Sequence, residues 1–403
     1  MNKRTETKNI FIISAVFPPE PVVSANISFD LAKCLSESNL VTVLSPKPSR
    51  PAGYVFSESE NSQNVFKHVV LKSYICPRSK ILGRFYESYS FGRACYNYIQ
   101  GYNDAIDVIY MNTWPLLAQW MTVRACKKFK IPIVTHIQDV YPESLINKLP
   151  ILKSLLYKLL IPLDKYISVN STKLITISKG VSNLIVQSRG IDKDKLEVVY
   201  NWQDEKKYLV RSAAHYDNAP FVFMFLGSLS PSAAIDGIIL AFIRLNCEKC
   251  KLIIAGRGSE EERLKNLARG TGGHLVEFID APSENVGKIQ AESDVLILSL
   301  KKGVAKLALP SKLPAYMFSS KPIIASVDVE SDTACVIIES GCGWVVDPES
   351  VDKLSEQMRI SMGTDRKKLM EIGEKGYQYA IDHFSKQYNL NRLAEIIQSV
   401  ATK

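Results

Sequence analysis

Apolar residues in this chain come in short dense runs, separated by stretches in which apolar positions recur every three or four residues. NIFIISAV at 9–16 is continuous and is bounded by FPPEP, the pattern of a central parallel strand covered on both faces. SANISFDLAKCLSES follows with Ile27, Leu31 and Leu35 at helical spacing. VTVLSP, FKHVVLKSYICP, DVIYMN, IPIVTHIQDV, KLITIS and LEVVYNW read as further strands. PLLAQWMTVRACKKFK and KGVSNLIVQSRG read as helices, the second closing at a Gly190 cap. Residues 47–64 read as loop, and 201–220 is a polar hinge with little periodicity.

Beyond the hinge the rhythm repeats. FVFMFLG, KLIIAGRG, HLVEFID, DVLILSL, PIIASV and GWVVD are strand-like, AAIDGIILAFIRL and SEEERLKNLARG are helical, and VDKLSEQMRISM and DRKKLMEIGEKGYQYAIDHF end the chain as helices. Strand–helix alternation run twice predicts an α/β chain of two doubly wound, Rossmann-like domains. Ligands of such sheets lie at the carboxyl ends of the strands, so two domains facing each other define a central cleft.

One stretch suggests what the cleft holds. The strand SDVLILSL leads into a loop, KKGVAKLALP, with three lysines, then into LPSKLPAYMFSSKPIIAS at 309–326. Pro310 sits where a helix can begin, with Ser311 and Lys312 in its first turn. A lysine there opposes the helix dipole unless an anion is present, so Lys312, Ser311 and Lys306 are candidates for holding phosphate. Arg257, in GRGSEEERL after a strand, is either a second nucleotide-side cation or a solvent-exposed loop arginine.

Composition narrows the class. The chain has 403 residues, 46% apolar and 23% charged, ordinary for a globular protein and long enough for two cores. No apolar run approaches the ~20 residues of a membrane span. MNKRTETKN leads directly into the first strand without a small-residue cleavage site, which predicts a cytoplasmic chain. The eight cysteines are scattered, and the lone CxxC of Cys247 and Cys250 reads as two incidental thiols. Residues 1–200 hold about 25 Lys and Arg against about 15 Asp and Glu, while the remainder is near neutral. A basic N-terminal half suits an anionic partner: phospholipid headgroups, a lipid diphosphate or nucleic acid. No nucleic-acid motif is present. In 79–102 and 152–167 aromatic and apolar residues interleave with Lys and Arg, which fits a membrane-surface face or, equally, core helices with snorkelling lysines.

At the end of IPIVTHIQDV, alternation puts His136 and Gln138 on one face. Asp139 is either a strand-end site residue or a helix N-cap. Glu143 is either a site carboxylate or first-turn helix charge, and His136 is a site residue or a hydrogen-bonded strand histidine. Asn201 and Asp204 read as hinge turn formers.

Taken in order, FPPEP, QDVYPES, TISKGV, VVYNWQD, FLGSLSPSAAIDG, IIAGRGSEEERLK and LPSKLPAYMFSSKPIIAS resemble the retaining, family 4 glycosyltransferases of GT-B fold over nearly the whole chain. The resemblance implies an acceptor-binding domain over 1–205, a nucleotide-sugar-binding domain over 206–380, and a last helix in 381–403 that crosses back to the first domain. It implies a UDP-sugar donor near Lys312, Ser311, Lys306, Arg257 and Gly227, with Asp139, His136 and Glu143 as catalytic candidates and no metal or other cofactor. PSKLPAYM is most similar to transferases of bacterial O-antigen clusters, including N-acetyl-L-fucosamine transferases. This implies a polyprenyl-diphosphate-linked acceptor and a peripheral place on the inner face of the plasma membrane.

Three departures from the family pattern stand out. The turn after the first strand, PPEPVVSAN, has no glycine. The usual Glu-x7-Glu pair falls on Leu307 and Ala315, and the phosphate-binding Arg and Lys that often follow the first strand of the second domain are absent from LGSLSPSAA. A GT-B nucleotide-sugar epimerase and a catalytically silent partner subunit are the competing readings.

Overall fold

The computed structural model describes residues 7–20, 22–49, 65–76, 81–112, 115–143, 153–208, 219–270, 273–282, 285–305 and 309–401. Its chain divides into two compact units, Met1–Tyr200 with Asn389–Lys403, and Asn201–Tyr388.

The first unit is built on seven strands: β1 (Asn9–Ile13), β2 (Leu40–Pro46), β3 (Lys67–Leu71), β4 (Val108–Asn112), β5 (Ile133–Ile137), β6 (Lys173–Thr176) and β7 (Leu196–Val198). They form one sheet in the order β3-β2-β1-β4-β5-β6-β7, and every pairing is parallel. The continuous apolar runs are explained by position, since Ile10 to Ile13 and Val108 to Met111 are buried on both faces. Helices α1 (Val23–Leu35), α2 (Ile81–Gln100), α3 (Leu116–Phe129), α4 (Lys153–Asn170) and α5 (Lys179–Arg189) supply the connections. The Ser178 hydroxyl caps α5 by accepting from Val181 N–H at 3.2 Å, and Gly190 ends it in the left-handed conformation with its N–H on Val186 O at 3.0 Å.

The second unit holds β8 (Phe221–Leu226), β9 (Cys250–Ala255), β10 (Val276–Ile279), β11 (Val295–Ser299), β12 (Ile323–Ser326) and β13 (Gly343–Val346). These form a parallel sheet in the order β10-β9-β8-β11-β12-β13. Its helices are α6 (Ile235–Leu245), α7 (Glu261–Gly270), α8 (Val286–Ala291), α9 (Lys312–Phe318), α10 (Asp332–Ser340), α11 (Val351–Met362) and α12 (Arg366–Phe384). On one face, Phe223, Phe225, Ile238, Ile239, Leu252 and Ile254 form the centre of the core.

The last helix, α13 (Lys386–Ala401), belongs to the first unit from Asn389 onward. It buries Leu390, Leu393, Ile397 and Val400. The Asn389 carboxamide oxygen accepts from Tyr200 N–H at 3.1 Å, and Arg392 pairs with Glu197 at 2.9 Å.

Strand order reverses between β1 and β4 in the first sheet and between β8 and β11 in the second. Crevices at these switch points are where doubly wound sheets bind ligands.

Candidate functional site

In the second unit, β8 ends at Leu226 and the chain turns at Gly227, whose φ of 147° is one that side chains avoid. Lys312, the first residue of α9, lies directly on that glycine. A Cβ built there would stand 2.2 Å from Lys312 Cε and 2.8 Å from its Nζ. The ammonium also rests over the Phe225 ring, 4.1 Å from its centroid. Lys312 is half-buried and has no carboxylate or hydrogen-bond acceptor among the described residues; burial pulls its ammonium down to about 8. A cation withdrawn from water, with an aromatic face as its neighbour, has unused capacity for an anion. Lys312 and Gly227 are therefore brought together: a side chain at 227 would be strained by the backbone conformation and would displace the lysine from the place it takes here.

The neighbouring strand end is packed backbone to backbone. Gly227 N–H donates to Ala255 O at 2.9 Å and Leu229 N–H to Arg257 O at 2.9 Å. Gly256, at φ 132°, would put a Cβ 2.1 Å from Gly227 O. Arg257 thus follows β9 at the same edge of the sheet, but its side chain is exposed and holds Asp280 at 3.1 Å. Ser311 is exposed and makes no cap hydrogen bond, while its carbonyl accepts from Gln203 Nε2 at 3.4 Å. Lys306 and Leu307 lie outside the described residues. Ala315 is buried, at 7% exposure, and carries no group that a ribose hydroxyl could use.

Sequence reasoning passed over Tyr316. Its fully buried hydroxyl donates to Leu226 O and accepts from Leu226 N–H, both at 2.8 Å. The available signal was its spacing of four residues from Lys312, which puts both on one face of a helix.

The candidates of the first unit gather near the end of β5, though their roles diverge. His136 is fully buried, its Nδ1 2.8 Å from the Tyr110 hydroxyl, and burial lowers the imidazole to about 3. A buried neutral ring has no exposed atom to offer a substrate, and this placement matches the strand-histidine alternative. Glu143 is also committed elsewhere. Both of its oxygens take the Arg189 guanidinium, Oε1 from Nη1 at 2.6 Å and Oε2 from Nη2 at 2.8 Å. Arg189 completes its contacts with Asp164 at 2.6 Å and Tyr141 O at 3.1 Å, and it is the largest fully buried side chain of the described residues. As the last residue of α5 it reads in sequence as ordinary helix-end charge, so nothing local marked it. Burial holds the Asp164 carboxyl up at about 6 despite the arginine. Asp139 is the exposed member of the group. It borders, with Gln119, Thr135, Asp164 and Ser168, a cavity of about 10 Å³, near the smallest size that holds one water.

Among the described residues no helix is long and apolar enough to cross a membrane, and no group of three or more His, Cys, Asp or Glu is placed to hold a metal ion.

Comparison with known proteins agrees with this architecture. The model of Glycosyltransferase Family 4 matches residues 25–207, and that of Glycosyl transferases group 1 matches 210–379. The Probable glycosyltransferase WbjE of Pseudomonas aeruginosa is 27% identical over 275 residues, which are 64% of this chain and 68% of that one. Among solved structures, Anabaena Alr3699/HepE in complex with UDP superposes with a TM-score of 0.70 at 16% identity, covering 98% of this chain and all of the other. WaaG, a glycosyltransferase involved in lipopolysaccharide biosynthesis, does so at 0.67 and 14%, covering 96% and 99%. Two parallel Rossmann-like sheets and two family models that together span residues 25–379 identify the chain as a GT-B glycosyltransferase of family 4, group 1.

Proposed function

We propose that this glycosyltransferase moves a sugar, with retention of configuration, from a UDP-sugar to a polyprenyl-diphosphate-linked saccharide during surface-polysaccharide assembly. The observation that carries the donor half is the Lys312 ammonium, half-buried on Gly227 at the switch point of the second sheet and without an internal counterion among the described residues. A diphosphate fits such a group. UDP in the Anabaena structure of the same fold supports the nucleotide, while WaaG supports the polysaccharide setting. N-acetyl-L-fucosamine, suggested by the resemblance of PSKLPAYM, is the first donor sugar to test.

Lys312 then acts by stabilising charge on the departing UDP, which lowers the barrier to breaking the bond at the anomeric carbon. The acceptor hydroxyl enters on the face that UDP leaves. Asp139, the exposed carboxylate at the end of β5, is the first-unit residue proposed for a catalytic role. Cationic groups fill the role that a metal has in other sugar-nucleotide enzymes, so no cofactor is proposed.

The acceptor half rests on α2, α3 and α4. Leu82, Tyr86 and Tyr89 form an exposed stripe on α2, and Leu155, Tyr157 and Leu159 are exposed on α4. Arg124, Lys127 and Lys128 are exposed on α3, which packs against both helices. Apolar side chains beside basic ones suit an anionic headgroup boundary, where a lipid-linked acceptor is found.

Calorimetry with UDP, followed by transfer assays with UDP-sugars and a prenyl-diphosphate sugar, tests the reading. Lys312→Ala should weaken UDP binding at least about tenfold, the scale of one lost charge-assisted contact. Unchanged affinity would remove the phosphate site. UDP binding without transfer to any acceptor would favour the silent-subunit reading, which the buried, apolar Ala315 supports.

A further inference from the structure

The second sheet opens at its switch point, and one side chain closes the gap. β8 and β11 pair only through Phe223 with Val295 and Met224 with Leu296, although both strands run further. Successive residues of a parallel strand turn their N–H and C=O groups to alternate sides. Phe221 and Gly227 direct theirs to β9, donating to Lys249 O and Ala255 O, while Val222 O accepts from Asp294 N–H on the β11 side. By this alternation Leu226 also faces β11. Its N–H and C=O are instead both taken by the Tyr316 hydroxyl at 2.8 Å. Leaving that backbone pair buried without partners would be costly, so the phenol is held there strongly.

Tyr316 lies one helical turn beyond Lys312 on α9, so the two side chains point the same way. Between them they engage three consecutive residues at the end of β8: Lys312 covers the Phe225 ring and Gly227, and Tyr316 holds Leu226. We propose that Tyr316 is a positioning residue: its hydroxyl stands in for β11, fixes α9 against β8, and thereby sets the Lys312 ammonium at the site of the donor's diphosphate. The inference rests on the donor reading above. It adds that the crevice has its width because a side chain, not a strand, satisfies Leu226.

The test is a double-mutant cycle on the full chain, read by calorimetry with UDP and with uridine. Tyr316→Phe keeps the ring and removes the hydroxyl. If the hydroxyl acts through Lys312, the substitution weakens UDP binding about tenfold and leaves uridine binding within about twofold. In a Lys312→Ala background it then adds nothing. Equal losses for UDP and uridine, or a loss that persists undiminished without Lys312, would mean a merely structural role and overturn the proposal. An NMR titration of the Lys312 side chain separates failure of the donor reading from failure of this one. If the wild type binds no UDP, the donor reading falls, yet a changed Lys312 titration in Tyr316→Phe still supports the positioning and an unchanged one sinks it. Should Tyr316→Phe not fold, amide exchange at Leu226 in the wild type decides. Slower exchange on saturation with UDP supports the coupling, and no change overturns it.

Discussion

Replacing Arg189 with methionine isolates the cluster that holds the segment after β5. The substitution preserves much of the side-chain volume and removes the cation that, among the described residues, contacts both Glu143 and Asp164. Arg189 is fully buried, and the partner side chains are only 19% and 13% exposed. Two carboxylates partly withdrawn from water then lose their counterion, and the Tyr141 carbonyl loses its donor. Breaking a buried ion pair from one side costs about 3–5 kcal/mol, because the unpaired charge stays behind. For a unit of this size about 1 kcal/mol corresponds to a shift of about 2–4 °C in Tm, so the expected fall is about 6–20 °C. Urea unfolding at pH 7, with the exposed Arg93→Met as control, measures it. The loss should shrink at pH 5, because protonating the orphaned carboxylates removes the uncompensated charge. The wild type has a related sign. Asp164 titrates higher when folded, about 6, than its ordinary 3.8. Its contribution to stability is thus complete below about pH 4 and is lost as pH rises through about 6. A loss below about 1 kcal/mol, or one that does not vary between pH 5 and 7, would refute the ion-cluster reasoning.

Two further outcomes follow from the proposed site and surface. UDP affinity should hold up to about pH 8 and decline above it, because Lys312 must carry its proton and burial brings that proton off near 8 instead of 10.5; a flat calorimetric profile between pH 7 and 9.5 would count against Lys312 as the phosphate cation. Leu82→Ser combined with Leu159→Ser should reduce co-flotation with phosphatidylglycerol vesicles several-fold while leaving the unfolding midpoint unchanged, since both side chains are more than 60% exposed; undiminished flotation would exclude this face as the membrane contact.

The architecture was legible because parallel strands buried on both faces leave unbroken apolar runs. NIFII, VIYMN, FVFMFL and VLILS were readable as strands for that reason. Helix ends marked by chemistry were readable too, as at Gly190. Lys312, the lysine proposed for the phosphate, stood out because a cation in the first turn of a helix is locally unfavourable and asks for an explanation. What local pattern could not show is where long-range partners lie. Glu143 is spaced like a site acid, and only the fold reveals that Arg189, distant in sequence, occupies both its oxygens. His136 sits at a strand end in sequence but inside the layer in three dimensions. Nothing in the sequence around Tyr316 marks its hydroxyl, whose partner, the Leu226 backbone, lies on a distant strand.

The missing acid at position 315 and the lysine at 312, which has no counterion among the described residues, are linked. They are three residues apart on α9, so their side chains are neighbours on the helix surface. A glutamate at 315 would come within reach of the Lys312 ammonium in a half-buried setting and would act as its internal counterion. With Ala315 the lysine keeps its charge uncompensated, its titration stays depressed, and the pull on an incoming diphosphate is stronger. On the proposed reading the ribose then loses a partner while the phosphates keep theirs undivided. Ala315→Glu, which restores the residue usual in the family, should therefore raise the Lys312 titration toward its ordinary 10.5. It should also weaken UDP binding, because a like charge now stands beside the phosphates and the cation is shared. Tighter UDP binding by Ala315→Glu would show instead that the ribose contact outweighs the charge it brings, and the donor site would then be a family site with one part missing.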